Sequence, residues 1–230
     1  MTVAGVSFRI RSRYGLLEKK CAEFLSDCEP KYEVSANDGE VEREKAASEA
    51  PVSYAYAESV AIFRKMSTLA AADGILLMHG SAFICNNKAV IITAPSGTGK
   101  STHTALWREL YGDEISVIND DKPWLRREGD CFTVFGTPWK GKENRGANIS
   151  APLYAVCVLH RSASNRVTPC AKRLETLLEQ VFRPSEPEAL RKVLGNLWAL
   201  EKNARMFDIY CNTEKEAAQT VRNAIFGERT

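Results

Sequence analysis

The 230-residue chain is 44% hydrophobic and 26% charged, ordinary proportions for a protein that buries a full core. Its formal net charge of +2 is too close to neutral to argue for nucleic acid or an anionic membrane as a partner. No apolar run approaches the ~18 residues of a spanning helix, and the start lacks the apolar core of a signal peptide, so a cytoplasmic protein is expected.

The length suits one α/β domain over residues 1–230, with residues 1–50 as a possible N-terminal appendage. Seven cysteines (Cys21, Cys28, Cys85, Cys131, Cys157, Cys170 and Cys211) are odd in number and form no C-x-x-C pair. They read as reduced packing thiols rather than disulfides or zinc ligands.

In chain order, Val6–Ile10 reads as a strand, Leu16–Leu25 as a helix and Tyr32–Ser35 as a second strand. Asn37 to Pro51 is polar and charge-rich and reads as a solvated connection. Tyr54–Ala71 has a broad apolar face of Val60, Ile62, Phe63, Met66 and Leu69, which predicts a helix ended by Asp73-Gly74. Ile75–Ile84 reads as one strand, and Asn86-Asn87 as the tight turn of a hairpin into the next. That hairpin puts His79 on the strand beside the segment that follows.

Val90-Ile91-Ile92-Thr93 is a β-branched run of the kind a parallel sheet buries on both faces. It leads into Pro95-Ser96-Gly97-Thr98-Gly99-Lys100-Ser101 and then a helix over Thr102–Tyr111. A strand, a glycine-rich turn, Lys-Ser and a helix make a phosphate-binding loop, because glycines let backbone N–H groups converge where the helix dipole is positive. Lys100 is placed to reach the β- and γ-phosphates and Ser101 to ligate Mg²⁺. The G-x-x-x-x-G-K-[ST] pattern is met except at its first position, Ala94. A glycine-rich strand-to-helix turn with an exposed lysine is the plainer alternative.

Ile115–Ile118 is an apolar strand ending in Asn119-Asp120-Asp121, with Asp120 twenty residues beyond Lys100. Strand-then-acid at this distance is what a metal-handling strand of a nucleotide enzyme looks like, though Asp-Asp also suits a turn or a cap. Cys131–Phe135 is a further strand. The loop after it, Gly136 to Gly146, holds Lys140, Lys142, Glu143 and Arg145. Its cations suit a transferring phosphoryl group, or equally a solvated surface turn. Tyr154–Leu159 and Phe207–Tyr210 read as strands, and Arg173–Phe182, Pro187–Glu201 and Glu214–Phe226 as amphipathic structural helices. His103 and His160 read as surface or cap residues rather than catalysts.

Leu77-Met78-His79-Gly80-Ser81-Ala82, Ser96–Ser101, Asn119-Asp120-Asp121 and Lys142-Glu143-Asn144-Arg145-Gly146 stand in an order that resembles one P-loop superfamily. It is that of HPr kinase/phosphorylase and ATP-dependent phosphoenolpyruvate carboxykinase, and the match spans residues 77–146. The resemblance implies a mixed sheet flanked by helices, with a nucleotide-binding core at 75–160. It implies ATP and Mg²⁺ as cofactors, held by Pro95, Ser96, Gly97, Thr98, Gly99, Lys100, Ser101 and Thr102, with Ser101, Asp121 and Glu143 toward the metal. One of Asp120 and Asp121 would be the general base, Asp120 being favoured. His79 matches a metal-ligand histidine of the carboxykinases, and Arg145 an arginine that stabilises phosphoryl charge. The chain is under half a carboxykinase's length and lacks the serine–acid continuation of HPr kinases (here Thr102-His103), which points away from phosphoenolpyruvate and HPr as substrates. The expected activity is a kinase acting on a hydroxyl of a small molecule or peptide. A serine protein kinase and a non-catalytic ATP-binding regulatory module are the alternatives. HPr kinases assemble, so a homo-oligomer is also implied.

Overall fold

The computed structural model describes residues 1–227. The chain opens with β1 (Thr2–Val3), β2 (Val6–Arg11), α1 (Leu16–Cys21) extended by a 3-10 turn at Ala22–Phe24, β3 (Tyr32–Ser35), α2 (Asp38–Ala46) and α3 (Tyr54–Ala72). β4 (Leu76–Leu77), β5 (Ser81–Cys85), β6 (Lys88–Thr93), α4 (Lys100–Tyr111), β7 (Ser116–Asn119), β8 (Trp124–Glu128) and β9 (Cys131–Phe135) follow. The last elements are β10 (Ser150–Arg161), β11 (Arg166–Pro169), α5 (Arg173–Gln180), α6 (Pro187–Asn203), β12 (Arg205–Cys211) and α7 (Lys215–Phe226).

β1, β2 and β3 form a small sheet, and the other nine strands form a large mixed one. Its order runs β4-β8-β9-β10-β6-β5-β7, with β12 on β10 and β11 on β12. The start of β10 pairs antiparallel with β9, while its later residues pair in parallel with both β6 and β12. β6 thus has β10 and β5 as neighbours, and its alternation is double-sided. Ala89 and Ile91 join the core built with α5 and α6, and Val90 and Ile92 the core built with α4 and α7. Val90, Ile91 and Ile92 are fully buried. At about 1.5–3 kcal/mol for each large aliphatic side chain, that burial outweighs any single polar contact at the strand's end.

The hairpin at Asn86-Asn87 forms as expected, both residues lying in the left-handed region (φ 52° and 58°) that a type I′ turn requires. The expected strand 75–84 is instead two strands. At the break the backbone donors turn to other elements: Met78 N–H donates to Pro123 O, His79 N–H to Gln180 O and Gly80 N–H to Asp121 O. A side chain at Gly80 would press on Ile91 and the Ile92 carbonyl, so the chain crosses there only as glycine.

The expected connection at 37–51 contains α2. Asn37 and Glu40 close a reciprocal capping box, and Glu44 and Glu40 pair with Arg64 and Lys65 on α3 at 2.6 and 2.8 Å. Val41 is its one buried residue, so its polar sequence hid it. β1, β8 and β11 were not anticipated, β10 is longer than expected at both ends, and α4 begins at Lys100. The small sheet is packed by Phe8 and Phe24 into a third core that includes Phe63, Trp124 and Trp139. All seven cysteines are free, and among the described residues no helix is long and apolar enough to cross a membrane.

The loop after β9 is pressed against the end of β7. A Cβ at Gly136 would lie 2.0 Å from the Ala147 carbonyl oxygen and 2.8 Å from that of Ile118. Gly136→Ala is therefore expected to lower unfolding stability by about 1–3 kcal/mol, read as an earlier urea midpoint at unchanged slope. An unchanged midpoint would mean that the two segments are not in contact in solution.

Candidate functional site

The loop between β6 and α4 has Gly97 and Gly99 at φ 77° and 119°, conformations that side chains resist. Ala94 is not in that region, so the position needs no glycine. Gly99 caps α4, whose first-turn N–H groups face the loop. Lys100 is folded back inside it, its Nζ donating to the carbonyls of Ala94 (2.9 Å) and Pro95 (3.2 Å). Burial holds this ammonium below the usual lysine range, with Asp121 opposing. From the end of β10, Arg161 donates to the carbonyls of Thr98 (3.0 Å) and Gly97 (2.5 Å), clasping the loop from outside.

Opposite the loop, β7 ends at Asn119, which is wholly buried. Its Nδ2 donates to Thr137 O and Oγ1 and to Trp139 O, and its Oδ1 accepts from the N–H groups of Asp121 and Lys122. The next residue, Asp120, accepts from the N–H of Gly141 at 2.5 Å and of Arg145 at 3.1 Å. Asp121 carries a contact to Lys122 Nζ and lies 3.5 Å from His79 Nε2. His79 is tied to the loop strand by its carbonyl, which accepts from Thr93 Oγ1 at 2.7 Å. Burial first, and Lys100 second, push this imidazole below its ordinary range, with Asp121 opposing.

These groups line one cleft of about 910 Å³. Of the residues singled out in the sequence, His79, Ser96, Gly97, Gly99, Lys100, Ser101, Thr102, Asp120, Asp121 and Glu143 face it. Pro95, Thr98 and Arg145 do not. The Arg145 guanidinium lies 3.4 Å from Glu143, and what it gives the site is its backbone N–H to Asp120. On the other side of the loop, Thr98, Gly99 and Thr102 also border a cavity of about 590 Å³ with His103, Leu106, Leu159, Arg161, Cys211 and Asn212. The two spaces meet around Gly99 and Thr102.

Sequence reasoning missed Lys20, Tyr56, Val60, Phe63 and Trp139 as cleft residues. Trp139 stacks on Phe63 with centroids 4.4 Å apart and donates its indole N–H to Ser59, fixing the loop to α3. No local pattern joins residues so far apart in the chain. For Arg161, the strand-terminal position beyond Leu159 was the only signal.

His160 matches its expectation, half-exposed, hydrogen-bonded to Asp208 at 2.8 Å and stacked on Tyr210. His103 does not. It is 2% exposed, because positions 103, 106 and 107 share the inner face of α4 with Leu106 and Trp107. Neither ring nitrogen has a hydrogen-bond partner, and burial lowers its pKa to about 4.

No protein-family model and no curated protein sequence matches this chain. Among solved structures that match is the HPr(Ser) kinase/phosphatase from Coxiella burnetii, at 11% identity and a TM-score of 0.34, covering 64% of this chain and 95% of that one. This is a distant fold-level likeness.

The unfolded His103 titrates near 6.5 and the folded one near about 4, so the unfolded chain takes up the proton first as pH falls. The buried neutral ring leaves stability intact above about pH 6.5 and costs about 3 kcal/mol by pH 4. His103→Leu is expected to flatten the fall in unfolding free energy between about pH 7 and pH 5. A slope equal to that of wild type would place the titration elsewhere.

Proposed function

We propose that the protein is an ATP- and Mg²⁺-dependent kinase that moves the γ-phosphoryl group of ATP to a hydroxyl of a small molecule or peptide. One observation carries this reading: a Gly-Thr-Gly-Lys-Ser loop at a helix N-terminus shares a cleft with Asp120, whose carboxylate accepts from the N–H groups of Gly141 and Arg145, and with Asp121, whose own N–H donates to Asn119.

The phosphates lie along the backbone N–H groups of 96–101, where the dipole of α4 favours negative charge. Lys100 exchanges the carbonyls of Ala94 and Pro95 for β- and γ-phosphate oxygens, stronger charge-assisted partners for an ammonium. The nucleoside extends around Thr102 into the second cavity, where Leu106, Leu159 and Cys211 supply an apolar floor and Asn212 a polar edge.

Ser101 and Asp121 would hold Mg²⁺ from the protein side, with Glu143 at the rim. This hard-oxygen donor set suits the ion, which shares its sites with substrate phosphates rather than needing an all-protein cage. When bound, the ion would neutralise charge on the β- and γ-phosphate oxygens.

Asp121, beside His79 and on the side of Lys100, suits the metal. Asp120, on the side of Gly141, is the general base. The acceptor oxygen forms its bond to the γ-phosphorus as the bond to the β,γ-bridging oxygen breaks, ADP keeping that electron pair. The hydroxyl proton goes to Asp120. The barrier falls mainly through positioning and charge neutralisation, with proton transfer a smaller share.

Lys100→Ala and Asp120→Asn are each expected to cut transfer from γ-labelled ATP by at least ~100-fold, the scale of losing one electrostatic or general-base contribution. Asp120→Asn should still bind ATP. Wild-type transfer by either variant would remove that residue from the chemistry.

A further inference from the structure

Besides Lys100, the cleft is lined by Lys20, Lys122, Lys140 and Lys142, against the carboxylates of Asp120, Asp121 and Glu143. Lys20, from α1, lines it together with Lys140 and Lys142, which flank the glycine that donates to Asp120. Lys20 and Lys142 have no ion-pair partner among the described residues, and Lys140 has one, Glu23, at a loose 3.8 Å. Lys122 differs, being engaged by Asp121. Lys20 and Lys140 bring two ammonium groups to one partly buried space and exposed Lys142 adds a third at its rim, with Asp120 and the loosely held Glu23 to offset them, an arrangement that an anion would stabilise. The Lys20 ammonium is indeed held below the usual lysine range, by burial first, with Lys122 and Lys140 adding to it and Cys21 and Asp120 opposing.

The hydrogen bonds order the cleft. Next to the loop comes Thr93, which donates to the carbonyl of His79, and His79 in turn meets Asp121. Asp120 is tied to Gly141, whose neighbours Lys140 and Lys142 line the same cleft as Lys20. On the kinase reading the phosphates occupy the loop end of the cleft, at Ser96 to Ser101, which leaves these lysines for a second anion. Val60, Phe63 and Trp139 add an apolar surface to the same cleft.

We infer that the acceptor is an anionic hydroxyl compound, its carboxylate or phosphate group seated among Lys20, Lys140 and Lys142 while its hydroxyl faces Asp120. This rests on the kinase reading above. The carbon skeleton lies against Val60 and Phe63, and the lysines set the distance between charge and reacting oxygen. The transfer itself is the one already described, with the anionic group unchanged by it.

The test loads the protein with Mg²⁺ and a non-hydrolysable ATP analogue, so that the loop is filled, and titrates four probes: glycerate, glycerol 3-phosphate, glyceramide and glycerol. The charged probes are expected to bind at least ~10-fold tighter than the neutral ones, and the stronger of the two names the group preferred. Lys20→Gln should reduce that preference. Lys20→Gln with Lys140→Gln should abolish it, with ATP-analogue affinity and thermal midpoint unchanged. Equal binding of charged and neutral probes would overturn the inference. So would a double variant that loses the nucleotide instead, or charged probes that fail to saturate by about 50 mM. Anion preference without transfer of γ-label to either charged probe, or to hydroxy acids and phosphates of larger skeleton, would leave the anion site standing and overturn the kinase reading.

Discussion

The arrangement depends on a buried knot of hydrogen bonds around Asn119. Its Nδ2 donates to Thr137 and Trp139 in the loop after β9, and its Oδ1 accepts from the N–H groups of Asp121 and Lys122. With both ends satisfied in a wholly buried place, the side chain fixes the turn that carries both aspartates. Losing it would orphan several buried donors and acceptors at once, each at about 1–3 kcal/mol. Trp139, pinned to α3 by its indole and by stacking on Phe63, extends the same constraint to the opposite wall. The cleft therefore has rigid sides where chemistry needs fixed distances.

The loop that would hold phosphate is built differently. It hangs between β6, locked by its neighbours and both cores, and α4, and it is closed over its own lysine. Arg161 clasps it from the side of the smaller cavity, so one short segment borders both cavities. A ligand entering either side meets residues that also shape the other, Gly99 and Thr102.

What the sequence conveyed follows the range of the forces involved. β6, the Asn86-Asn87 turn and α4 are set by neighbours a few residues apart, and they were readable. α2 was hidden because its stability comes from a capping box and ion pairs to α3, not from an apolar face. β8 was hidden because only its first two residues, Trp124 and Leu125, are buried, while Arg126 is half-buried and Arg127 and Glu128 are exposed in the hairpin with β9. The break at His79 came from hydrogen bonds to Gln180 and Asp121, distant in sequence. The loop and the aspartates were legible as motifs, but the turning-away of the Arg145 guanidinium and the approach of Lys20 are tertiary facts. His103 was misread because one turn of helix past a loop looks exposed until Leu106 and Trp107 are seen to share its face.

The central claim is that the segment from β6 to α4 holds the β-phosphate of a nucleotide. Calorimetric titration with ADP and AMP, each with Mg²⁺, tests it most directly, because the two ligands differ only in that phosphate. ADP is expected to bind at least ~100-fold more tightly than AMP, a difference of about 3 kcal/mol. Equal affinities, or binding of neither, would contradict the account.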